Sequence, residues 1–274
     1  MSDLVLYETS GPIATVTLNR PEKLNAINAE MLAEFDARIA QAGVDDSIKV
    51  VIVAANGRAF SAGFDMNDEI NDGTESTLDW LAVLRRDSEV TMRLWSCPKP
   101  TIAAVQGYCL GGACEIAMAC DMIVAAQDAK FGEPEIQYGS SPVTLLMPFI
   151  LGQKKTNEML FTGDKIDADQ ALSLGLINRV VARDDLESAV LELALRIAPT
   201  PLPILQLTKR ALNRAYEAKG LLSAVQTNLD ISALINSANT PEQQEFDRVA
   251  EEKGLRAALD LRDQRYGVPL TPRK

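Results

Sequence analysis

Histidine is absent from all 274 residues. That absence removes Ser-His-Asp and Cys-His nucleophilic machinery and most catalytic zinc sites, so acid–base work falls to carboxylates, Tyr, Lys or Cys. Basic residues are in deficit as well: 27 Lys and Arg against 38 Asp and Glu leave a formal net charge of −11. Such a balance argues against general binding to nucleic acid or to an anionic membrane, and an anionic ligand would need a local basic patch. Long apolar runs are missing. The longest, Leu145 to Leu151, contains Pro148 and is far too short to span a bilayer. Met1-Ser2-Asp3 lacks a basic start and no long apolar stretch follows nearby, so no signal peptide is expected and the expected location is cytoplasmic. The few cysteines, Cys97, Cys109, Cys114 and Cys120, read as small buried thiols of a cytosolic protein, and no metal site is expected. There is no internal repeat and no low-complexity tract.

What is present, 47% hydrophobic and 24% charged residues, is ordinary globular composition, enough for one α/β domain with an appendage. Leu4 to Glu8 and Ile13 to Leu18 predict a hairpin turning at Ser10-Gly11-Pro12. Asn28 is placed to cap a helix carrying Met31, Leu32, Phe35 and Ile39 on one face. The β-branched run Val50-Val51-Ile52-Val53 predicts a strand buried on both faces. An acidic segment, Asp65 to Glu75, leads into a helix with Leu78, Leu81 and Leu84, stopped at Pro98-Lys99-Pro100. Strands are expected again at Met122 to Ala125, Lys130-Phe131 and Asn178 to Val181, and helices at Leu145 to Thr162, Asp167 to Leu174 and Leu186 to Ile197. From Ile204 the chain reads as helical to its end, with a cap at Thr240-Pro241-Glu242-Gln243. The fold class is therefore α/β with a C-terminal helical part.

The stretch Gly107 to Asp121 carries the chemistry. Ile102 to Val105 is an apolar strand, Gly111-Gly112 a tight turn, and a buried helix follows with Glu115 in its first turn. Free N–H groups at such a helix start suit an anion or an oxygen that becomes anionic during reaction. Glu115 is either an acid–base group beside that site or a carboxylate that favours the helix dipole. Ser61-Ala62-Gly63-Phe64-Asp65 likewise follows a buried strand. If the two strands are neighbours, one N–H from each loop could converge on one oxygen at the sheet edge where α/β proteins usually bind ligands.

These residues resemble the crotonase (enoyl-CoA hydratase/isomerase) superfamily. The resemblance rests on Leu18-Asn19-Arg20-Pro21-Glu22-Lys23-Leu24-Asn25-Ala26, Ala59 to Asp65, Gly107 to Asp121, Phe131-Gly132-Glu133-Pro134-Glu135 and Ala168 to Asn178, in family order along most of the chain. It implies a crotonase spiral of ββα units over residues 1–200, a C-terminal helical trimerisation part over 201–274, and a homotrimer or a hexamer made of two trimers. It implies an acyl-CoA thioester as substrate, coenzyme A being part of that substrate, with no separate cofactor. By position, the oxyanion-hole donors would be the N–H groups of Phe64 and Gly112, the second preceded by Gly111. Backbone groups around Ala62 would read the adenine, and Asp65 and Gly111 are counted with Lys23, Ala62 and Val143 as substrate-binding residues. Lys23 and Arg20 either meet the phosphates or are loop charges in solvent.

Hydratases of this family use two glutamates, matched here by Glu115 and Glu135. Together they can deliver water to C3 and a proton to C2; Glu115 is assigned to the water and Glu135 to the α-proton, the split being open at the level of sequence. Glu135 also reads as a helix-start carboxylate after Pro134. The chain departs from the hydratase pattern at Ser140-Ser141-Pro142-Val143-Thr144, where Val143 replaces a glycine near the catalytic water. Tyr138, Met66, Trp80 and Leu84 either line the acyl pocket or are ordinary packing. The function expected is enoyl-CoA hydration. The alternatives are another acyl-CoA reaction of the superfamily (isomerase, dehydratase, hydrolase or hydratase-lyase) and a non-catalytic RNA-binding relative. The last is disfavoured because Glu30 to Gln41 sets Glu30, Glu34 and Asp36 against Arg38.

Overall fold

A unit of long strand, short strand and helix, used three times, builds the body of the protein. The computed structural model describes residues 3–66, 74 and 76–267. The acidic segment expected between Asp65 and Glu75 lies largely outside those residues. Strands β1 (Val5–Ser10) and β2 (Ile13–Leu18) form the expected hairpin, and α1 (Ala29–Val44) follows, capped by Asn28, whose side chain accepts from the Met31 N–H at 2.9 Å. Strand β3 (Val50–Ala55) leads through a one-residue bridge at Ser61 towards α2 (Thr77–Trp95). Strand β4 (Thr101–Val105), the short β5 (Tyr108–Leu110) and α3 (Gly112–Ala119) repeat the pattern, and β6 (Met122–Ala126) with β7 (Lys130–Gly132) begins it again.

The long strands lie side by side in the order β1-β2-β3-β4-β6-β9, with β9 at Arg179–Val181, all parallel except the first pair. The short strands form a second sheet, β5-β7-β8, in which β8 is Ile166–Asp167, and Ser61 joins it by pairing with Cys109. Period-two alternation explains why the apolar run of β3 is unbroken. Val51 and Val53 face the main core with Phe35 and Ile116, while Val50 and Ile52 face Leu186, Val190 and Ala194 of the helix Leu186–Ile197.

Two sequence expectations change. Leu145 to Thr162 is two helices, Met147–Ile150 and Gln153–Thr162, because the backbone becomes extended at Leu151 (ψ 157°) and Gly152 (ψ 151°). The C-terminal part is four helices, Leu202–Ala218, Leu221–Asn236, Pro241–Lys253 and Leu255–Arg265. They break at Gly220 and Gly254, both at positive φ, and at the Thr240 cap, where side chain and backbone bonds run both ways with Gln243. Helix Leu221–Asn236 packs along Thr77–Trp95 through Leu84, Leu229 and Ala233. Among the described residues no single helix is long and apolar enough to cross a membrane.

Candidate active site

Adjacent parallel strands β3 and β4 deliver their following loops to the same edge of the sheet. Asn25 fixes the first loop. It is fully buried in the left-handed region (φ 52°), and its side chain donates to the Asn56 and Ala59 carbonyls at 2.8 and 2.9 Å. Its carbonyl accepts from the Ser61 hydroxyl at 2.7 Å. Beyond Ser61, Ile27 donates to the Gly63 carbonyl at 2.8 Å and accepts from the Asp65 N–H at 3.0 Å. Alternation along this short bridge turns the Phe64 N–H away from Ile27, and it has no acceptor among the described residues.

The second loop is tied to the first loop and to β7: Leu110 donates to the Ser61 carbonyl at 3.2 Å and Gly111 to the Gly132 carbonyl at 2.9 Å. Gly111 has φ 55° and ψ −134°, a conformation that essentially only glycine adopts. Gly112 opens helix α3, so its N–H has no intrahelical acceptor. The Phe64 ring lies directly on Gly112, where an added Cβ would stand 2.2 Å from the ring edge. The two residues expected to form the oxyanion hole are thus in contact, and neither N–H has an acceptor among the described residues.

Glu115 is completely buried one turn into α3. Its Oε1 accepts from the Thr144 N–H at 2.8 Å, and its Oε2 has no partner among the described residues. Burial, and then the charge of Glu135, push its carboxyl well above the usual carboxylate range, while the N–H groups of Thr144 and Val143 act in the opposite direction. Glu135 lies in the 3-10 turn Pro134–Tyr138, with Oε1 packed against Gly111 and Oε2 unpartnered among the described residues; burial pushes it up to about 7. The sequence reading missed a third member. Glu133 is buried with both oxygens unpartnered among the described residues, and it is pushed well up by burial and then by Glu115, Cys114 and Glu135. Its place between a strand and Pro134 resembles any surface bend, so only the packing of the small sheet exposes its burial.

The remaining expected residues divide. Val143 is buried with Leu84, Leu229 and Ala233, against which Phe64, Trp80 and Leu81 pack, so Trp80 and Leu84 join the wall beside the Phe64 loop. Met66 and Tyr138 instead pack against the C-terminal helices, with Tyr138 stacked on Phe246 at 5.8 Å. Lys23 is exposed at the end of the turn Pro21–Lys23. Ala62 donates its N–H to the Leu24 carbonyl at 3.0 Å. Asp65 is buried and paired with Arg20 at 2.6 Å, and Arg20 also donates to the Ala26 carbonyl. The Arg20 guanidinium therefore braces the loop from within, and Lys23 is the outward-facing cation of the pair. All four cysteines are buried and free.

The geometry has counterparts among known proteins. The sequence model of the enoyl-CoA hydratase/isomerase family matches residues 8–256. A probable enoyl-CoA hydratase of Rhizobium meliloti is 37% identical over 225 residues, 80% of this chain and 86% of that protein. A short-chain-enoyl-CoA hydratase of Clostridium acetobutylicum is 36% identical, covering 78% and 82%. The crystal structure of an enoyl-CoA hydratase/isomerase from Xanthobacter autotrophicus superposes with a TM-score of 0.94 at 44% identity, covering 97% of this chain and 99% of the other. The architecture of two sheets wound from ββα units is the crotonase fold. With the match running from the first hairpin into the last helix, this chain belongs to the enoyl-CoA hydratase/isomerase family.

Proposed function

We propose that the protein is an enoyl-CoA hydratase, adding water across the C2=C3 bond of a 2-enoyl-CoA thioester. The observation that carries this reading is the burial of two carboxyl groups, Glu115 and Glu135, beside the contact of Phe64 with Gly112. The thioester oxygen would accept from the Phe64 and Gly112 N–H groups, which draws electrons from C3 and stabilises the enolate as it forms. Ionised Glu115 takes a proton from water as the water oxygen bonds to C3. The π pair moves to the thioester oxygen and returns to form the C2–H bond with the proton of Glu135. Solvent exchange restores both groups.

The protonation states follow from the surroundings. Two carboxyl groups that repel one another hold one proton between them over a wide pH range. The N–H groups of Thr144 and Val143 favour the charge of Glu115, whereas only its own backbone N–H favours that of Glu135. In this reading the proton rests on Glu135, and with Glu135 neutral its charge no longer adds to the burial that raises Glu115. Val143 would bound the acyl pocket, Gly111 would leave room for Glu135, and Asp65 would hold the Phe64 loop through Arg20. Lys23 would meet the phosphates of coenzyme A and the backbone at Ala62 its adenine; coenzyme A enters as part of the substrate. In this reading residues 1–200 form the catalytic core and 201–274 the helical part through which the chain assembles as a trimer or hexamer in the cytoplasm. Exposed Ile204, Leu207, Leu212, Leu222, Ile231 and Leu234 on the two long C-terminal helices support such an assembly.

A panel of acyl-CoA thioesters with products identified by mass tests the proposal. Enoyl thioesters should gain the mass of one water. Free coenzyme A, a shortened product or a moved double bond without mass change would assign another reaction of the superfamily.

A further inference from the structure

Segment Ser140–Thr144, where the sequence leaves the hydratase pattern, is held by a single stripe of one C-terminal helix. Asn228, Ser232 and Asn236 follow one another at intervals of four on the helix Leu221–Asn236, so they share a face. Asn228 Nδ2 donates to the Pro142 carbonyl at 2.8 Å and to the Val143 carbonyl at 3.1 Å. The Ser232 hydroxyl donates to the Pro142 carbonyl at 3.1 Å and accepts from Ser141 at 2.8 Å, while Ser140 donates to Asn236 at 2.8 Å.

We infer that Asn228 and Ser232 are positioning residues for Glu115. In a trans peptide the C=O and the following N–H lie in one plane and point in opposite directions. The Pro142 carbonyl shares its plane with the Val143 N–H, and the Val143 carbonyl shares its plane with the Thr144 N–H. Gripping both carbonyls from the helix side therefore turns both N–H groups to the other side, where Glu115 lies. The Thr144 N–H reaches Glu115 Oε1 at 2.8 Å, and both N–H groups favour its ionised form. The helix thus supplies, through two peptide planes, the donors that hold the charge of the water-activating carboxylate. The same grip seats the Val143 side chain against Leu84, Leu229 and Ala233.

This inference rests on the proposed role of Glu115, so its test needs a readout independent of turnover. The carboxyl bands of the purified protein are titrated by infrared difference spectroscopy, with Glu115→Gln identifying the Glu115 band. Asn228→Ala and Ser232→Ala should move the Glu115 titration to higher pH. They should also lower kcat for hydration by roughly ten- to a hundredfold, the range for losing hydrogen bonds to a charged group, with KM within about twofold. Asn228→Asp, similar in shape and unable to donate when ionised, should reproduce the shift and serves if Asn228→Ala does not fold. Thr227→Ala, exposed on the same helix, should leave the titration unchanged. A folded Asn228→Asp variant with an unmoved Glu115 band overturns the inference, as does an equal shift in Thr227→Ala. A shifted band in a protein that hydrates no enoyl thioester upholds the positioning role and removes the hydratase reading alone.

Discussion

Glu115, Glu133 and Glu135 differ in how far the sequence betrays them. Glu115 is legible because its distance from Gly111-Gly112 fixes it in the first turn of a helix whose neighbours are all small or apolar. Glu135 is legible only through family resemblance, and Glu133 not at all, since a charge beside proline at a bend is ordinarily solvated. The Arg20–Asp65 pair is hidden for a different reason: the partners stand 45 residues apart, and only the bridge between Ile27 and Phe64 brings them together. Burial of these acids has a measurable cost. Glu135 moves from 4.5 to about 7 on folding, so the folded chain holds a proton that the unfolded chain releases. Its contribution is fully present below about pH 4.5 and is lost as pH rises through about 7, a change on the order of 3 kcal/mol. Urea unfolding at pH 5 and pH 8 should therefore show a smaller loss of stability for Glu135→Gln than for the wild type. Parallel pH dependence in the two proteins would refute the assignment.

At the scale of elements, local signals served well where the partner was local. Asn28 caps its helix as its position predicts, and Thr240 with Gln243 closes a capping box. The break at Leu151-Gly152 escaped because Leu145 to Thr162 keeps enough apolar residues to pass for one helix. Asn228, Ser232 and Asn236 carry no local signal of their role, because their partners lie 85 to 96 residues away. The contact between the two loops at Phe64 and Gly112 is the element-level feature on which the proposed oxyanion hole depends. Gly112→Ala would place a methyl group where the Phe64 ring edge now lies, 2.2 Å from the added carbon. The ring and its loop must shift, and one N–H donor leaves its position. Hydration kcat should fall by roughly a hundredfold or more, with the circular dichroism spectrum retained. Wild-type turnover in this variant would place the oxyanion donors elsewhere.

For the whole molecule, alternating strands and helices with a helical tail were readable from apolar periodicity, and so was the α/β class. The division of strands between two sheets was not. Short strands such as Tyr108–Leu110 and Lys130–Gly132 carry too few residues to announce their partners, and pairing across the units decides them. That second sheet brings the Ser61 loop, Gly111 and the turn bearing Glu135 to one place. On the proposed reading Glu135 serves as the acid, the hydrogen-bonded Glu115 as the base, and the Phe64 and Gly112 N–H groups as oxyanion donors, in a chain that has no histidine. The most direct test is the hydration of crotonyl-CoA, followed by loss of the conjugated thioester absorbance, in the wild type, Glu115→Gln and Glu135→Gln. The wild type should hydrate the substrate, and each variant should lose roughly two to four orders of magnitude in kcat. A wild type that leaves the double bond untouched, or a variant that turns over at the wild-type rate, would contradict the two-carboxylate account.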